Sequence, residues 1–290
     1  MRVVNRIKTY MELIKVEHTI FALPFALTAA LMAAKGFPPL YQVFWIVVAL
    51  FGARTAAMAL NRAIDAEIDA RNPRTAGRHI PRGLVRKGEA FVLAIIGFAL
   101  MIFAAYKLNP LAFKLSPLAV LILSIYSFTK RFTSLCHVVL GIAVALAPLG
   151  AWIAVEGRFD FTALILSAAV AFWVAGFDII YALQDVEFDR REGIYSIPAK
   201  FGEDNALFIS RFFHLLTLIG LIWAGIRVGM GFFYYLGLFL SALLMLKEHR
   251  LVSRDRDKVA FAFFNMNGYI SVTVFLFTLL DFLWRRYWGF

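Results

Sequence analysis

Long apolar runs dominate this chain of 290 residues and restrict it to a membrane architecture. A helix that crosses a bilayer needs about 20 mainly apolar residues, and a soluble domain has about 25% charged residues. Only 17% of this chain is charged, and the alternating pattern of a membrane barrel is missing. Nine transmembrane helices are therefore predicted, with approximate limits 18–35, 41–61, 90–107, 113–129, 136–155, 161–184, 206–226, 228–246 and 261–283. The predicted fold class is an all-α integral membrane protein with its helices in one bundle.

The basic residues are distributed unevenly between the two sides of these spans. With the N-terminus inside, 22 Lys and Arg fall on the cytoplasmic side and 7 outside, which fits the positive-inside rule. We predict a multi-pass protein of the plasma or inner membrane, with its N-terminus inside and its C-terminus outside. Topology thus accounts for most of the formal charge of +11, and no nucleic-acid partner is expected.

Two acidic clusters with the same spacing end the second and sixth spans. A shift of 120 residues superposes one on the other, which predicts an internal pseudo-repeat. Because no polar stretch is long enough for a second domain, residues 1–290 are predicted to form one domain. The clusters are Asn61, Asp65, Glu67 and Asp69 in the first case and Asp185, Glu187 and Asp189 in the second.

The aspartates of each cluster are predicted to share one helix face, because positions four residues apart lie above one another on a helix. The glutamates point elsewhere. Grouped carboxylates repel one another unless a cation lies among them, and oxygen ligands without His or Cys favour Mg²⁺. Mg²⁺ is usually held by one or two carboxylates plus substrate phosphates, which indicates a phosphorylated substrate. The predicted metal ligands are Asn61, Asp65, Asp69, Asp185 and Asp189.

Basic residues follow the first cluster and the fourth span. Acidic metal ligands beside fixed cations are what a diphosphate requires, although positive-inside topology alone also explains any single Arg. The candidate diphosphate ligands are Arg78, Tyr126, Lys130 and Arg131.

Asp178 and Arg54 lie inside predicted spans, where ionisable residues are rare and usually functional. Asp178 is a candidate for orienting or deprotonating an acceptor, or else for a structural hydrogen bond. Arg54 is a candidate for contacting a diphosphate or an acceptor carboxylate, or else for pairing with an acidic neighbour. Four other polar residues are predicted to pack or to bond neighbouring helices: His137, His214, Asn265 and Asn267.

The spaced acidic motifs resemble those of the UbiA superfamily of intramembrane prenyltransferases. Its N-x-x-x-D-x-x-x-D and D-x-x-x-D patterns both stand here, and the resemblance covers essentially the whole chain. The extended second motif, from Asp178 to Pro198, is most similar to the 4-hydroxybenzoate polyprenyltransferase branch. The family also has an Arg, a Tyr and a Lys that match Arg78, Tyr126 and Lys130.

The resemblance implies Mg²⁺-dependent transfer of a polyprenyl group from a polyprenyl diphosphate to a small aromatic acceptor, at a cytoplasmic active site in the bilayer. The acceptor implied by the branch is 4-hydroxybenzoate. The predicted catalytic residues are Asp65, Asp69, Asp178, Asp185 and Asp189, and the predicted acceptor-binding residues are Arg54 and Tyr181.

Two alternatives remain at this point. The first helix carries Lys15-Val-Glu17-His18, which looks similar to relatives proposed for a menaquinone route through futalosine and would make the acceptor a dihydroxynaphthoate. A secondary transporter also combines repeats with intramembrane polar residues, but its site is expected near the bilayer midplane on broken helices.

Overall fold

The computed structural model describes residues 2–255 and 258–288, and it has no β-strand within those ranges. Two 3₁₀ turns, Val16–His18 and Leu183–Asp185, and a π-turn, Ala262–Met266, interrupt the helices. The helices are α1 Arg2–Leu13, α2 Thr19–Ala33, α3 Leu40–Ile64, α4 Ala66–Arg71, α5 Lys87–Leu108, α6 Pro110–Thr129, α7 Cys136–Glu156, α8 Phe161–Ala182, α9 Val186–Glu192, α10 Ile197–Phe201, α11 Glu203–Val228, α12 Phe232–Arg254, α13 Val259–Phe261 and α14 Asn267–Trp288.

Among the described residues, 8 helices are long and apolar enough to cross a membrane. They correspond to all of the predicted spans except 228–246, so the all-α membrane class is confirmed and the count of nine is not. The remaining prediction falls on α12, Phe232–Arg254, whose last turns carry Lys247, Glu248 and Arg250. Those polar residues shorten the continuous apolar part of the helix.

Large apolar side chains cover much of the outer surface of these helices. Leu40 is 86% exposed and Ile95 is 67% exposed, and many other aliphatic and aromatic residues are exposed to a similar degree. A water-soluble monomer rarely presents so much contiguous apolar area. Contact with lipid explains this surface and supports an integral multi-pass membrane protein.

The chain divides into two compact units. The first comprises Met1–Thr19 and Trp45–Phe128, and the second comprises Ile20–Phe44 and Thr129–Phe290. In the first unit, α3 and α5 approach closely at Gly52 and Gly97. A Cβ atom built on Gly52 would lie 2.7 Å from the carbonyl oxygen of Gly97, so only glycine fits at this crossing. Small residues at helix contacts allow such close backbone approach in membranes.

In the second unit, α8 is the most deeply buried helix, and α7 and α11 pack against it. A Cβ atom on Gly176 of α8 would lie 2.5 Å from the ring of His214 in α11. A Cβ atom on Gly141 of α7 would overlap the carbonyl oxygen of Ala171 in α8. The contact at Gly141 is with backbone, so it fixes the spacing of α7 and α8.

Replacing Gly141 by alanine is therefore expected to destabilise the second unit by about 1–3 kcal/mol, the usual cost of overpacking a close contact. Gly150→Ala, in the same helix, is the matched control because a Cβ atom added there would have no atom within 4 Å. Thermal unfolding of both variants in detergent measures the difference. Equal melting temperatures for the two variants would contradict the close approach at Gly141.

Candidate active site

The first acidic cluster lies where α3 ends, in the first unit. Asp65 separates α3 from α4 with φ −86° and ψ 0°. Backbone N–H groups of Asp65 and Asp69 nevertheless donate to the carbonyls of Asn61 and Asp65, at 2.9 and 2.8 Å. The helical register therefore continues through the break, and the three polar residues remain one turn apart, as predicted. The amide of Asn61 donates to the carboxylate of Asp65 at 2.9 Å, and Asp65 is only 1% exposed.

Asp69 is held by the loop that follows the cluster. The Nη1 atom of Arg78 lies 2.7 Å from both carboxylate oxygens of Asp69, and the hydroxyl of Thr75 donates to the Asp69 carbonyl at 3.0 Å. Asp69 is buried, so the guanidinium supplies the positive charge that a buried carboxylate requires. The predicted role of Arg78 on a diphosphate remains a prediction.

Tyr126 and Arg54 lie in helices of the same unit. The hydroxyl of Tyr126 donates to the carbonyl of Ala57 at 3.0 Å, one turn before Asn61 in α3. The Nε atom of Arg54 is buried and has no hydrogen-bond partner among the described residues. A buried guanidinium N–H without a partner costs free energy, and an acidic ligand at this atom would remove that cost.

The second acidic cluster lies at the end of α8, in the second unit. Asp185 closes a 3₁₀ turn between α8 and α9, with φ −114° and ψ 6°. Asp65 and Asp185, the residues equivalent in the sequence alignment, thus both adopt the sparsely populated bridge conformation. Asp189 is 8% exposed and accepts a hydrogen bond from the hydroxyl of Ser196 at 2.8 Å. Ser196 is not among the site residues predicted from the sequence, and its hydroxyl also caps α10.

The two glutamates point away from the aspartates, as the helical spacing predicts. The side chain of Glu67 is 83% exposed and pairs with Lys87 at 2.6 Å. Glu187 is also exposed, whereas Asp189 in the same short helix is buried. The cluster faces are therefore formed by the aspartates.

Lys130 and Arg131 lie in the turn after α6, in the second unit. The backbone N–H of Tyr195 donates to the carbonyl of Lys130 at 2.8 Å, and this bond ties the turn to the segment after α9. The charge of Lys130 acts on Asp189 electrostatically. Lys130 is therefore placed beside the second cluster, and Arg131 is the half-buried residue that follows it.

His137 is not the simple packing residue that the sequence predicts. Its Nδ1 atom lies 2.7 Å from the Oδ2 atom of Asp178, and its Nε2 atom accepts from the backbone N–H of Ile197 at 3.2 Å. The prediction was wrong because the partners lie 41 and 60 residues away in sequence. The side chain of Asp178 is 22% exposed and that of His137 is 4% exposed. The carboxylate is therefore the more accessible member of the pair.

Aromatic rings lie around Tyr181, one turn after Asp178. The ring of Phe263 lies 4.2 Å from that of Tyr181, and Phe21 and Phe177 both contact Phe263. Phe263 belongs to the π-turn before α14, a distortion that is frequent at functional sites.

The π-turn is held by a buried hydrogen bond between helices. The amide of Asn267 donates to the carboxyl group of Glu248 in α12 at 2.6 Å and to the carbonyl of Phe263 at 3.2 Å. This contact agrees with the prediction that Asn267 bonds a neighbouring helix.

The donor chemistry of both clusters fits a hard divalent cation. Within the described ranges no three His, Cys, Asp or Glu side chains gather closely enough to form a closed metal cage. Each cluster instead offers two aspartate carboxylates, and Mg²⁺ is commonly bound by one or two carboxylates with substrate phosphates completing its shell. The candidate ligands are therefore compatible with a metal that binds together with its substrate.

Comparisons with known proteins agree with this arrangement. The 4-hydroxybenzoate octaprenyltransferase of Vibrio vulnificus is 30% identical over 277 residues, covering 94% of this chain and 97% of that protein. The enzyme of the same name from Cupriavidus metallidurans is 32% identical over 289 residues, with 96% of each chain covered. The apo structure of a UbiA homologue from Aeropyrum pernix superposes with a TM-score of 0.84 and 34% identity, covering 91% of this chain and 98% of that one. Residues 22–277 match the model of the UbiA prenyltransferase family, and the chain belongs to that family.

Proposed function

We propose that this protein transfers a polyprenyl group from a polyprenyl diphosphate to 4-hydroxybenzoate. The observation that carries the proposal is the pair of aspartate clusters, with Asp65, Asp69 and Asp189 buried, in a chain whose relatives, matched along almost their whole length, are named 4-hydroxybenzoate octaprenyltransferase. A solved UbiA homologue from Archaeoglobus fulgidus, 18% identical to this chain with a TM-score of 0.69, is described as bound to GPP and Mg²⁺.

The clusters are proposed to supply oxygen ligands for Mg²⁺ and, through it, for the diphosphate of the substrate. The proposed ligands are Asn61, Asp65 and Asp69 in the first cluster and Asp185 and Asp189 in the second. Magnesium, when bound, neutralises charge on the diphosphate as it leaves. Cationic and hydroxyl side chains would stabilise the remaining negative charge, which is the proposed role of Arg78, Tyr126, Lys130 and Arg131.

The reaction needs a base and a site that excludes water. As the allylic C–O bond breaks, its electron pair leaves on the diphosphate, and the new C–C bond forms between the allylic carbon and a carbon of the aromatic ring. The ring proton passes to the carboxylate of Asp178, and the electrons of the C–H bond restore aromaticity. The rings around Tyr181 would stabilise the allylic cation through their faces and keep water from capturing it.

Arg54 is proposed to bind the carboxylate of the acceptor, because its Nε atom is buried without a hydrogen-bond partner among the described residues. Arg54→Ala is expected to raise the KM for 4-hydroxybenzoate about 10- to 100-fold, the usual worth of a hydrogen bond to a charged group. The KM for the prenyl diphosphate should stay within about twofold. Steady-state kinetics with each substrate varied in turn measures both constants.

A phenolic acceptor without the carboxylate is the control for this prediction. The wild-type protein and Arg54→Ala should use such an acceptor equally poorly, because the group that Arg54 binds is absent. If Arg54→Ala instead raised the KM of the prenyl diphosphate alone, Arg54 would belong with the diphosphate ligands.

Prenylation of a dihydroxynaphthoate in preference to 4-hydroxybenzoate by the wild-type protein would overturn the choice of acceptor.

The architecture is proposed to be a single domain built from two repeated halves. The alignment of the acidic clusters and the matching backbone conformations of Asp65 and Asp185 support a pseudo-repeat. We further propose that α12 crosses the membrane as the ninth span, with the N-terminus and the acidic clusters on the cytoplasmic side and the C-terminus outside. The distribution of Lys and Arg supports this orientation.

A further inference from the structure

We infer that His137 is the positioning residue for Asp178, and that it orients the carboxylate which receives the ring proton. The inference rests on the proposed function, and it adds to that function a residue with no direct contact to substrate. It depends on three hydrogen bonds, all within the second unit.

The hydrogen bond from Ile197 determines the protonation state of the His137 ring. The Nε2 atom accepts the backbone N–H of Ile197 at 3.2 Å, and a ring nitrogen that accepts a hydrogen bond carries no proton. The single proton of the neutral ring is therefore on Nδ1. That proton is donated to the Oδ2 atom of Asp178, 2.7 Å away.

The hydrogen bond from His137 also constrains the carboxylate that accepts it. Since Oδ2 accepts from His137, this hydrogen bond fixes the orientation of the Asp178 carboxylate. His137 is almost fully buried, whereas Asp178 retains an exposed fraction. In many enzymes a second residue likewise fixes the orientation of the side chain that acts as the base.

A short segment links His137 to the second acidic cluster. Ile197 and Ser196 are consecutive, and the hydroxyl of Ser196 donates to the carboxylate of Asp189 at 2.8 Å. One short segment at the start of α10 therefore bonds both to Asp189 and, through His137, to Asp178. A displacement of this segment changes both acidic groups together.

Helix packing fixes the distance between His137 and Asp178. Gly141 lies one turn after His137 on α7, and Ala171 lies two turns before Asp178 on α8, so each pair shares a helix face. The close backbone contact between Gly141 and Ala171 thus aligns the faces that carry His137 and Asp178.

The test compares three substitutions that separate the two hydrogen bonds. In His137→Asn the side-chain N–H occupies roughly the position of Nδ1 and still donates to Asp178. His137→Gln places its amide near Nε2 and loses that donor, and His137→Leu loses both bonds. We expect kcat to fall about 100-fold in the Gln and Leu variants and less than about tenfold in the Asn variant, as for a misaligned general base. The KM for the prenyl diphosphate should not change in the Gln variant, which keeps the bond to Ile197.

An isotope effect separates positioning from a structural role. With ring-deuterated 4-hydroxybenzoate, His137→Leu should show a primary isotope effect on kcat that is larger than in the wild-type protein, because loss of the ring proton becomes slower. His214→Asn is the control, since His214 is another buried histidine of this unit and bonds to His249 at 3.0 Å. His214→Asn should leave the isotope effect unchanged. Equal losses of kcat in all three His137 variants without a change in isotope effect would overturn the inference.

A measurement without turnover distinguishes this inference from the proposed function. Nitrogen-15 NMR of histidine-labelled protein, with the His137 signals assigned from the His137→Leu variant, should report a neutral ring protonated at Nδ1. A ring protonated at Nε2, or a charged ring, would overturn the inference even in an active enzyme. An Nδ1-protonated ring in a protein that prenylates no aromatic acceptor would instead refute the proposed function.

Discussion

Asp65→Asn and Asp185→Asn are each expected to reduce kcat/KM by about a thousandfold or more, because each removes a carboxylate from the proposed metal ligands. Lewis-acid stabilisation of a transferring phosphate oxygen is worth several kcal/mol, and about 4 kcal/mol corresponds to this loss. Asparagine keeps the size and polarity of each side chain, so the fold should be retained. Prenyl transfer with increasing Mg²⁺ measures the effect, and the residual activity should require more metal than the wild-type protein does.

Glu67→Gln and Glu187→Gln are the matched controls. They make the same change in charge in the same two segments, on side chains that are exposed. Their activity should stay within about twofold of the wild-type value, as for surface substitutions in general. A comparable loss in the glutamine variants would show that overall charge near the membrane surface, and not the aspartate face, supports activity.

Asp178→Asn is expected to lower kcat by about 100- to 10,000-fold, the range that general acid–base catalysis contributes. The amide is nearly isosteric with the carboxylate but does not take up the ring proton. Binding of prenyl diphosphate, measured by calorimetry with Mg²⁺ and no acceptor, should be unchanged. Loss of that binding would show that Asp178 acts in binding the metal and the diphosphate, and not on the acceptor.

Stability is the necessary control for Asp178→Asn, because His137 is hydrogen-bonded to this residue in the interior of the second unit. His137 still has an acceptor in the asparagine carbonyl oxygen, so the melting temperature should change little. If the melting temperature fell strongly while the folded fraction kept its kcat, the bond between His137 and Asp178 would have a structural role and not a catalytic one.

The sequence predicts the helices and the acidic faces of this protein well, because both depend on local patterns. An apolar run of about 20 residues is a property of the segment itself. The shared face of Asn61, Asp65 and Asp69 follows from helical spacing, and the backbone hydrogen bonds preserve that spacing. The span 228–246 is the exception, because α12 starts at Phe232 and ends in a polar stretch.

Contacts made over long sequence separations were not predictable in this way. The bond between His137 and Asp178 depends on how α7 packs on α8, and the bond between Ser196 and Asp189 depends on the turn between α9 and α10. An available signal was that both His137 and Asp178 are ionisable residues within predicted spans, where such groups usually pair. The bridge conformations of Asp65 and Asp185 have no comparable signature in the sequence, since neither residue is followed by Gly or Pro.

Prenyl transfer by the purified wild-type protein is the measurement that tests the central claim most directly. The protein in detergent is supplied with geranyl diphosphate, with 4-hydroxybenzoate or a dihydroxynaphthoate as acceptor, and with Mg²⁺ or EDTA. The account predicts prenylated 4-hydroxybenzoate with Mg²⁺, little or no naphthoate product, and no product with EDTA. Undiminished product with EDTA, or Mg²⁺-independent binding of geranyl diphosphate without transfer to either acceptor, would contradict it.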